Sequence, residues 1–423
     1  MRPFSRCTLL TFLSVCLISC ASPSAKRSLP RVSTEKTLTQ QIENEALNPS
    51  VLAETPAQKA ETPAEEKPVQ KETSPTVRIL LGENLQETTV EHNGRVNIYT
   101  ADGSEKYKLS NGGKITLKSL QNGKIKVGTL TAQQAIIIEP VNTQLTWNQN
   151  TYTGRLYVVP VSNNKFNLVE HVALENYLYG VLPYEMSPSW PLEALKAQAV
   201  AARTYTLKTL ENVKTKTFDL YSDVRSQMYK GTGKRYDNVT KAVDQTRGEV
   251  LMYNKKLFFT YYHGNCGGGT DDVKSWNFKV SSIKPLSGTS CKFDSHSKSY
   301  EWTMNVPREK VESYLRKAGL NGTVKTIKPS SKTSTGRAIH LIVHTSKGAK
   351  TVPCGEFRLA TGIRSCKLTH IKVNGHQVRF EGRGYGHGIG MCQDGANGMA
   401  KEKHSYKEIL KHYYPGSTLT KIK

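Results

Sequence analysis

Apolar positions between residues 77 and 166 come in short runs separated by turn-forming pairs. Such runs are typical of β-strands, and they are Val77–Leu81, Val96–Tyr99, Ile115–Leu117, Ile136–Ile138 and Leu156–Val159. The pairs between them favour tight hairpin turns, and they are Asp102-Gly103, Asn111-Gly112 and Asn122-Gly123. The pattern predicts a small β-domain, in which we identify no catalytic group.

A different pattern follows at residues 191–202, where small and apolar side chains predict a buried helix. Residues 187–189 interrupt the chain, Pro191 has the backbone angle of a first helical position, and Glu193 falls in the first turn. The side chains that follow, up to Ala202, are mostly small, so other elements can approach this helix closely. We expect it to be a scaffold for the second half of the chain.

Later segments add strands and a second helix. Leu257–His263 reads as one buried strand, and Asn374-Gly375 closes a hairpin between Ile371–Val373 and Val378–Phe380. Met391–Ala400 is again rich in small residues and predicts a helix. The sequence therefore predicts an α+β fold that is mostly β with a few core helices. We expect a β-domain over 77–166, followed by an α+β catalytic domain over 167–423.

The N-terminus has the features of an export signal. Arg2 and Arg6 precede an apolar stretch at 9–18 that is too short to span a bilayer. Leu17–Cys20 resembles the bacterial lipoprotein cleavage box, which predicts a signal peptide over 1–19 and a lipid on Cys20. An ordinary signal peptide cut near Ala21 is the alternative.

Residues 20–76 are predicted to be a disordered linker. The stretch is poor in aromatic residues and rich in Glu, Lys, Thr, Ala and Pro, so it cannot bury enough surface to offset its ordering entropy. It would tether the folded part to a membrane through the lipid. We therefore expect an exported protein, lipid-anchored to the cell envelope and facing the periplasm or cell wall.

The charge balance points to an anionic partner or surface. The 423 residues include 59 Lys and Arg against 35 Asp and Glu, a net charge of +24. The basic residues are dispersed and do not interleave with aromatics in one run, so we expect no nucleic-acid groove. A solvated basic face is the simpler alternative.

Glu185 is the candidate acid, because it lies in an apolar setting just before the scaffold helix. Val181, Leu182 and Met186 flank it, and burial among them would favour the protonated carboxyl group. On pattern alone, a surface or helix-capping carboxylate is the ordinary alternative.

Three segments resemble the stage II sporulation protein D family of peptidoglycan lytic transglycosylases. They are Leu182–Met186 (LPYEM), Trp190–Tyr205 (WPLEALKAQAVAARTY) and Gly384–Gln393 (GYGHGIGMCQ). The resemblance extends from about residue 77 to 423. It implies cleavage of the MurNAc-GlcNAc bond in peptide-stripped glycan strands, with 1,6-anhydro-MurNAc ends, during division or sporulation-like septal remodelling. A cell-wall amidase would act beforehand as the functional partner.

The resemblance also implies the site residues. Glu185 would be the single catalytic acid and base, and no cofactor is expected. The implied substrate-binding residues are Arg203, Ser226, Gln227, Tyr229, His387, Gly388 and Gln393. Polar and aromatic residues alternate over Asp219–Gly231, which suits a sugar-binding rim, with a half-buried strand as the alternative. Some relatives bind zinc through cysteines near this segment, and this chain has none there.

Five cysteines fall in the folded part, an odd number for an oxidising compartment. The simplest pairing joins Cys266 with Cys291 and Cys354 with Cys366, and leaves Cys392 free, although the sequence does not fix the connectivity. A metal site of His263, Cys266 and Cys291 is a weaker possibility, because the paired spacing of zinc ligands is missing. We therefore expect no metal.

Two other classes of function stay open. A non-catalytic cell-wall-binding or amidase-activating lipoprotein would tolerate Glu185→Gln, which an enzyme would not. A basic surface-binding lipoprotein would use its charge on nucleic acid or host polysaccharide. Salt-dependent binding to nucleic acid without affinity for glycan strands would distinguish that third class.

Overall fold

A computed structural model describes residues 74–162, 164–212, 217–223, 225–276 and 281–422. The predicted signal peptide (1–19), the predicted lipid site Cys20 and nearly all of the predicted linker lie outside the described residues. Within the described ranges, each helix is too short or too polar to cross a bilayer.

The described residues form 24 strands and seven α-helices. The strands of the first half are β1 (Thr76–Leu85), β2 (Glu87–His92), β3 (Val96–Thr100), β4 (Lys106–Leu109), β5 (Gly113–Ser119), β6 (Ile125–Val127), β7 (Leu130–Ala132), β8 (Ile136–Pro140), β9 (Leu145–Trp147), β10 (Asn150–Tyr152), β11 (Arg155–Val161) and β12 (Lys165–Ala173). The strands of the second half are β13 (Leu220–Tyr221), β14 (Glu249–Tyr253), β15 (Lys256–Leu257), β16 (Tyr262–His263), β17 (Glu301–Pro307), β18 (Val324–Lys332), β19 (Ala338–Thr345), β20 (Gly348–Pro353), β21 (Leu368–Asn374), β22 (Gln377–Arg383), β23 (Met391–Cys392) and β24 (Thr418–Lys421). The helices are α1 (Leu174–Glu185), α2 (Leu192–Asn212), α3 (Asp237–Gln245), α4 (Arg308–Lys317), α5 (Cys354–Thr361), α6 (Gln393–Lys401) and α7 (Tyr406–Tyr413).

The first thirteen strands build two sheets that enclose a shared apolar core. The seven-stranded sheet has the order β13-β1-β12-β11-β8-β3-β4, and the six-stranded sheet has the order β10-β9-β2-β5-β6-β7. All five strand runs predicted here are confirmed, because their apolar side chains alternate into the interface. The predicted boundary after residue 166 falls inside β12, which runs on to residue 173 and leads directly into α1.

Helix α2 is the scaffold helix that the small side chains predict, and it begins at Leu192. It contacts α1, α3, α6 and α7 as well as strand β14. Its alanines at 197, 199, 201 and 202 are fully buried, and their small size lets the neighbouring helices come close. The helix predicted over Met391–Ala400 is confirmed as α6.

Helix α1 was not predicted, because Gly180 and Pro183 both weigh against a helix. The helix is nevertheless buried along nearly its whole length, and this tertiary packing outweighs its poor propensity. Gly180 is required there, since a Cβ atom would collide with the carbonyl oxygen of Gly231. The consequence is that Glu185 ends a rigid helix and does not lie in a loop.

Four smaller sheets complete the second half. Their orders are β15-β14-β24, β16-β23, β17-β22-β21 and β18-β19-β20. The predicted hairpin around Asn374-Gly375 is confirmed as β21 and β22. The single strand predicted over Leu257–His263 is wrong, because the chain forms β15 and β16 with an irregular stretch between them. In that stretch the Thr260 hydroxyl donates to the Ala201 carbonyl of α2, 2.7 Å away. The α+β class with mostly β structure is confirmed.

Candidate active site

Glu185 lies at the C-terminal end of α1, and its side chain is buried. The residue is 1% exposed, and the backbone N–H of Met228 donates to its Oε1 at 3.2 Å. Its Oε2 has no hydrogen-bond partner among the described residues. Burial raises the pKa of Glu185 well above its usual range, although Met228, Gln393 and Tyr262 offset part of that rise. The site therefore favours the protonated form of this carboxyl group.

A buried polar network surrounds this carboxyl group. The amide of Gln227 donates to the hydroxyls of Tyr177 at 3.2 Å and Thr206 at 2.9 Å. The Tyr262 hydroxyl donates to Gln227 Oε1 at 2.7 Å. Because the donors and acceptors of these side chains are matched, the network holds Tyr262 in place beside Glu185.

Three predicted sugar contacts from the Asp219–Gly231 segment are used inside the protein instead. Gln227 belongs to the network above, and the Ser226 hydroxyl accepts from the backbone N–H of Tyr221 at 3.1 Å. The Tyr229 ring packs between Tyr152 and Tyr177, with its hydroxyl near buried Glu170. All three are buried, so they position the surroundings of Glu185 and do not form a rim.

Arg203, a predicted substrate contact, is held in an internal ion pair. The guanidinium group is fully buried and makes two hydrogen bonds to the Glu175 carboxylate, at 2.8 and 2.7 Å. It also donates to the carbonyl oxygens of Val243 and Glu249. A buried charge needs such partners. The hydrogen bonds of Arg203 join α2 to α1, α3 and β14. Arg203 is thus a structural residue beneath the site.

The glycine run brings His387 and Gln393 into the same interior. His387 Nδ1 accepts from the backbone N–H of Ile389 at 3.0 Å, while its Nε2 has no hydrogen-bond partner among the described residues. Burial, with help from Arg358 and Arg337, lowers the pKa of His387 to about 3, so the ring is neutral. Gln393 is buried and lies close enough to Glu185 to favour its charged form.

Three alternate glycines of this run make the close packing possible. Gly386, Gly388 and Gly390 all have positive φ, and a Cβ atom at Gly388 would collide with Arg337. Position 388 therefore requires glycine, because any larger residue would collide with Arg337. The substrate-binding roles of His387, Gly388 and Gln393 stay predictions.

A group of three tyrosines and three cations includes Tyr184, the residue before Glu185, and it was not predicted from the sequence. Lys230 Nζ lies 5.1 Å from the ring centre of Tyr184, the neighbour of Glu185. Arg235 stacks on the ring of Tyr179 at 3.8 Å, and Lys234 lies 5.1 Å from the ring of Tyr236. We call these six residues the Tyr–cation rim. The six residues come from two segments far apart in the sequence and form no recognisable motif, because their side chains meet only in the folded protein.

The other carboxylates of the predicted rim are held in ion pairs. Asp219 binds Arg78 at 2.6 Å, and Asp223 binds Arg225 at 2.8 Å. Burial opposes the charged form of Asp223, but the hydrogen bonds from Arg225 lower its pKa below the usual range. Both carboxylates are thus paired with an arginine, whereas Glu185 Oε2 has no hydrogen-bond partner among the described residues.

The cysteines confirm one predicted bond and contradict the other. Cys354 and Cys366 form a disulfide, as predicted. Cys392 is a free thiol, as predicted, but Cys266 and Cys291 are free as well, so their predicted bond is wrong. The three thiols are buried and meet at one place. His263 does not join them, because its Nδ1 is hydrogen-bonded to the Ile389 carbonyl at 3.1 Å.

The fold and the site together define a class: a mostly β α+β protein with a buried glutamic acid of raised pKa at the end of a core helix. The profile of the family described as stage II sporulation protein matches residues 162–253, and that of a domain of unknown function matches residues 281–390. The chain belongs to the stage II sporulation protein D family, and the resemblance seen in its motifs is confirmed.

Three relatives show the extent of the match. An uncharacterised protein of Brachyspira hyodysenteriae is 35% identical over 297 residues, covering 69% of this chain and 78% of the relative. A stage II sporulation protein D of Bacillus amyloliquefaciens is 30% identical over 276 residues, covering 61% and 77%. An amidase enhancer of Bacillus subtilis is 29% identical over 376 residues, covering 75% of this chain and 51% of the relative.

Proposed function

We propose that this protein is a peptidoglycan lytic transglycosylase in which Glu185 is the only acid and base. The observation that carries the proposal is the buried carboxyl group with a raised pKa and an Oε2 that has no partner among the described residues. Such a group holds a proton at neutral pH and can release it to a leaving oxygen. Family membership supports a role in the cell wall.

The proposed reaction needs one carboxyl group and no water. Glu185 gives its proton to the oxygen between MurNAc and GlcNAc, and the bond from that oxygen to C1 of MurNAc breaks. The C6 hydroxyl oxygen of the same MurNAc then bonds to C1, while its proton passes to the Glu185 carboxylate. A 1,6-anhydro ring forms and the catalyst is restored. Because the attacking hydroxyl belongs to the reacting sugar, proximity replaces the second carboxylate of ordinary glycosidases.

The surroundings of Glu185 are consistent with a glycan that carries carboxylates. Tyrosine faces pack on sugar rings, and the cations of the Tyr–cation rim would meet the lactyl carboxylates that remain on MurNAc when the stems are gone. We propose that stem-free strands are the substrate and that an amidase supplies them. The amidase enhancer among the relatives supports such a link. Export and a lipid anchor at Cys20 belong to the same proposal.

Substrate access requires a movement, because Glu185 is 1% exposed. The segment around Met228, whose backbone N–H donates to Glu185, has little regular structure, and the Met228 side chain is partly exposed. We expect this segment to shift when a glycan strand binds. Hydrogen exchange should then change at residues 226–230 on addition of stem-free glycan, and an unchanged rate there would contradict the expected opening.

The test of the mechanism is Glu185→Gln on stem-free glycan strands, with products read by mass spectrometry. A general acid and base contributes about 10²–10⁴ in rate, so cleavage should fall by at least that factor while folding and glycan binding persist. The wild-type products should carry anhydro ends. Hydrated reducing ends would indicate a hydrolase instead.

Glu193→Gln is the matched control. That carboxylate accepts hydrogen bonds from Lys196 at 2.7 Å and from the Tyr406 backbone at 2.8 Å, so its loss affects the packing of α7 and not the reaction. The variant should keep cleavage at a stability cost of about 1 kcal/mol. If Asp219→Asn or Asp223→Asn lost cleavage equally while still folded, a two-carboxylate muramidase would be the better mechanism.

The second candidate is an amidase-activating protein without glycan cleavage, which the amidase enhancer relative favours. The variant Glu185→Gln also distinguishes the amidase activator from the lytic transglycosylase. An activator with Glu185→Gln should still raise the rate at which a cell-wall amidase releases stem peptides, and wild-type protein alone should leave stem-free glycan intact.

A further inference from the structure

Three thiols and one carboxylate converge inside the second half of the chain, apart from Glu185. Cys266, Cys291, Asp294 and Cys392 each place one ligand atom within 4.8 Å of all the others. We call these four residues the sulfur cluster. All four are buried, and they come from three separate segments of the sequence. No Cys-x-x-Cys spacing marks them, which is why a disulfide was the simplest interpretation of the sequence.

The sulfur and carboxylate atoms of the sulfur cluster lie close to one another. Cys266 Sγ lies 3.0 Å from Asp294 Oδ2, and Cys392 Sγ lies 3.8 Å from the same oxygen. Two backbone N–H groups, those of Cys266 and Gly395, donate to Cys392 Sγ at 3.2 and 3.3 Å. N–H donors around a sulfur stabilise thiolate, the form of cysteine that binds metal.

The carboxylate is also arranged as a ligand. Backbone N–H groups of Gly267 and Gly268 donate to Asp294 Oδ2 at 2.8 and 3.3 Å. Its Oδ1 is buried and has no hydrogen-bond partner among the described residues. An unpaired buried carboxylate oxygen is costly unless a cation accepts its lone pairs.

We propose that the sulfur cluster binds one Zn²⁺ ion in a tetrahedral Cys₃Asp site. Zinc lies about 2.3 Å from thiolate sulfur and about 2.0–2.2 Å from carboxylate oxygen, so ligand atoms in a tetrahedron are separated by roughly 3.5–3.8 Å. The spread of the four ligand atoms accommodates such a tetrahedron with small side-chain adjustments. Thiolate-rich sites favour zinc over the harder divalent cations.

The neighbouring groups complete a second shell. The Tyr413 hydroxyl lies 3.1 Å from Cys291 Sγ. Lys367 Nζ and Arg337 Nη2 donate to the carbonyl oxygens of Gly267 and Cys266, at 2.6 and 2.5 Å, and place two cations beside the loop. Three thiolates, one carboxylate and Zn²⁺ leave a net charge of −2, which these cations offset in part. Gly395 has no Cβ, and a Cβ there would collide with Tyr413 and approach Cys291 Sγ to 2.8 Å.

A disulfide fits this arrangement less well. Any bond between two of the three sulfurs would leave one buried thiol and the unpaired Asp294 oxygen without a counter-ion. With four protein ligands and no open position, the ion would be structural and not catalytic.

The ion would tie the loop after β16 to the start of α6. Strand β16 holds Tyr262, and α6 begins with Gln393, so the ion would fix the two elements whose side chains adjoin Glu185. This role does not depend on whether the protein cleaves glycan.

The test measures metal in the full chain purified without added zinc and without chelator. Elemental analysis should give about one zinc per chain, and the X-ray absorption fine structure should show about three sulfurs near 2.3 Å and one light atom near 2.0 Å. After dialysis against a mild competing chelator, Cys291→Ala should retain under about 0.2 zinc per chain. Asp294→Asn, which keeps the shape of the side chain, should lose zinc at lower chelator concentration than wild type.

The matched control is the double variant Cys354→Ser, Cys366→Ser, which removes two cysteines outside the sulfur cluster and should keep about one zinc per folded monomer. Peptide mapping that found a disulfide between any two of Cys266, Cys291 and Cys392 in freshly purified protein would overturn the proposal. Zinc that appeared only in added excess, or that left the wild type as readily as it left Cys291→Ala, would also overturn it.

Discussion

Two buried glutamic acids show how differently one residue type can be used. Each carboxyl group has one oxygen without a hydrogen-bond partner among the described residues, but Glu185 ends a helix beside a polar network, whereas Glu170 lies within the β-sheet and accepts the backbone N–H of Gly154 at 2.9 Å. Burial raises the pKa of Glu170 to about 7. The protonation of Glu170 therefore makes the free energy of unfolding depend on pH, which gives a prediction separate from catalysis.

The prediction concerns the free energy of unfolding between pH 4.5 and 7. In the unfolded chain Glu170 loses its proton near pH 4.5, whereas the folded protein keeps it to about pH 7. Because the folded protein binds this proton more tightly than the unfolded chain does, Glu170 contributes its full share to the free energy of unfolding below pH 4.5. That share is lost as the pH rises to about 7, a change of roughly 3 kcal/mol. Glu170→Gln should remove this slope in chemical denaturation series. Glu139→Gln, at a partly exposed carboxylate paired with Arg155, should leave the slope as in wild type.

At the scale of elements, the glycine run is the part least tolerant of added atoms. Gly390 has a φ of 68°, and a Cβ atom there would collide with the Tyr261 carbonyl oxygen. Gly390→Ala should therefore lower stability by several kcal/mol and reduce cleavage, because the run leads into Gln393. Gly375→Ala is the control, since its φ is 55° in an open hairpin turn. That change should cost only about 1 kcal/mol, as measured by thermal unfolding.

The elements also show what the sequence could predict. Strands with alternating apolar positions and helices of small residues were predictable, since burial and periodicity decide them locally. Helix α1 was not, because only its tertiary contacts outweigh Gly180 and Pro183. Glu185 was found through its apolar neighbours and motif. The ion pair of Arg203 with Glu175 was not predicted, because the sequence does not tell a buried ion pair from a ligand contact. The sulfur cluster was missed, because its ligands lie far apart in the chain.

At the scale of the whole molecule, the net charge of +24 predicts salt-dependent binding to the cell wall. Affinity for purified peptidoglycan should fall as sodium chloride rises from about 50 to 500 mM, since screening shortens the range of charge interactions to below about 10 Å. Co-sedimentation with purified peptidoglycan would measure this affinity at each salt concentration. Uncharged oligosaccharides of GlcNAc should bind with little salt dependence, and equal salt dependence for both ligands would contradict a role for the glycan carboxylates.

The last strand of the chain closes a sheet that begins far upstream. Strand β24 pairs with β14, and Gln393 beside Glu185 also belongs to the final part of the sequence. A ribosome makes Glu185 long before either of them, and at about 5–20 residues per second the delay is on the order of ten seconds or more. Throughout that interval the nascent chain has the acid but lacks the helix that adjoins it. The site can therefore assemble only after Gln393 has been added, roughly 200 residues after Glu185.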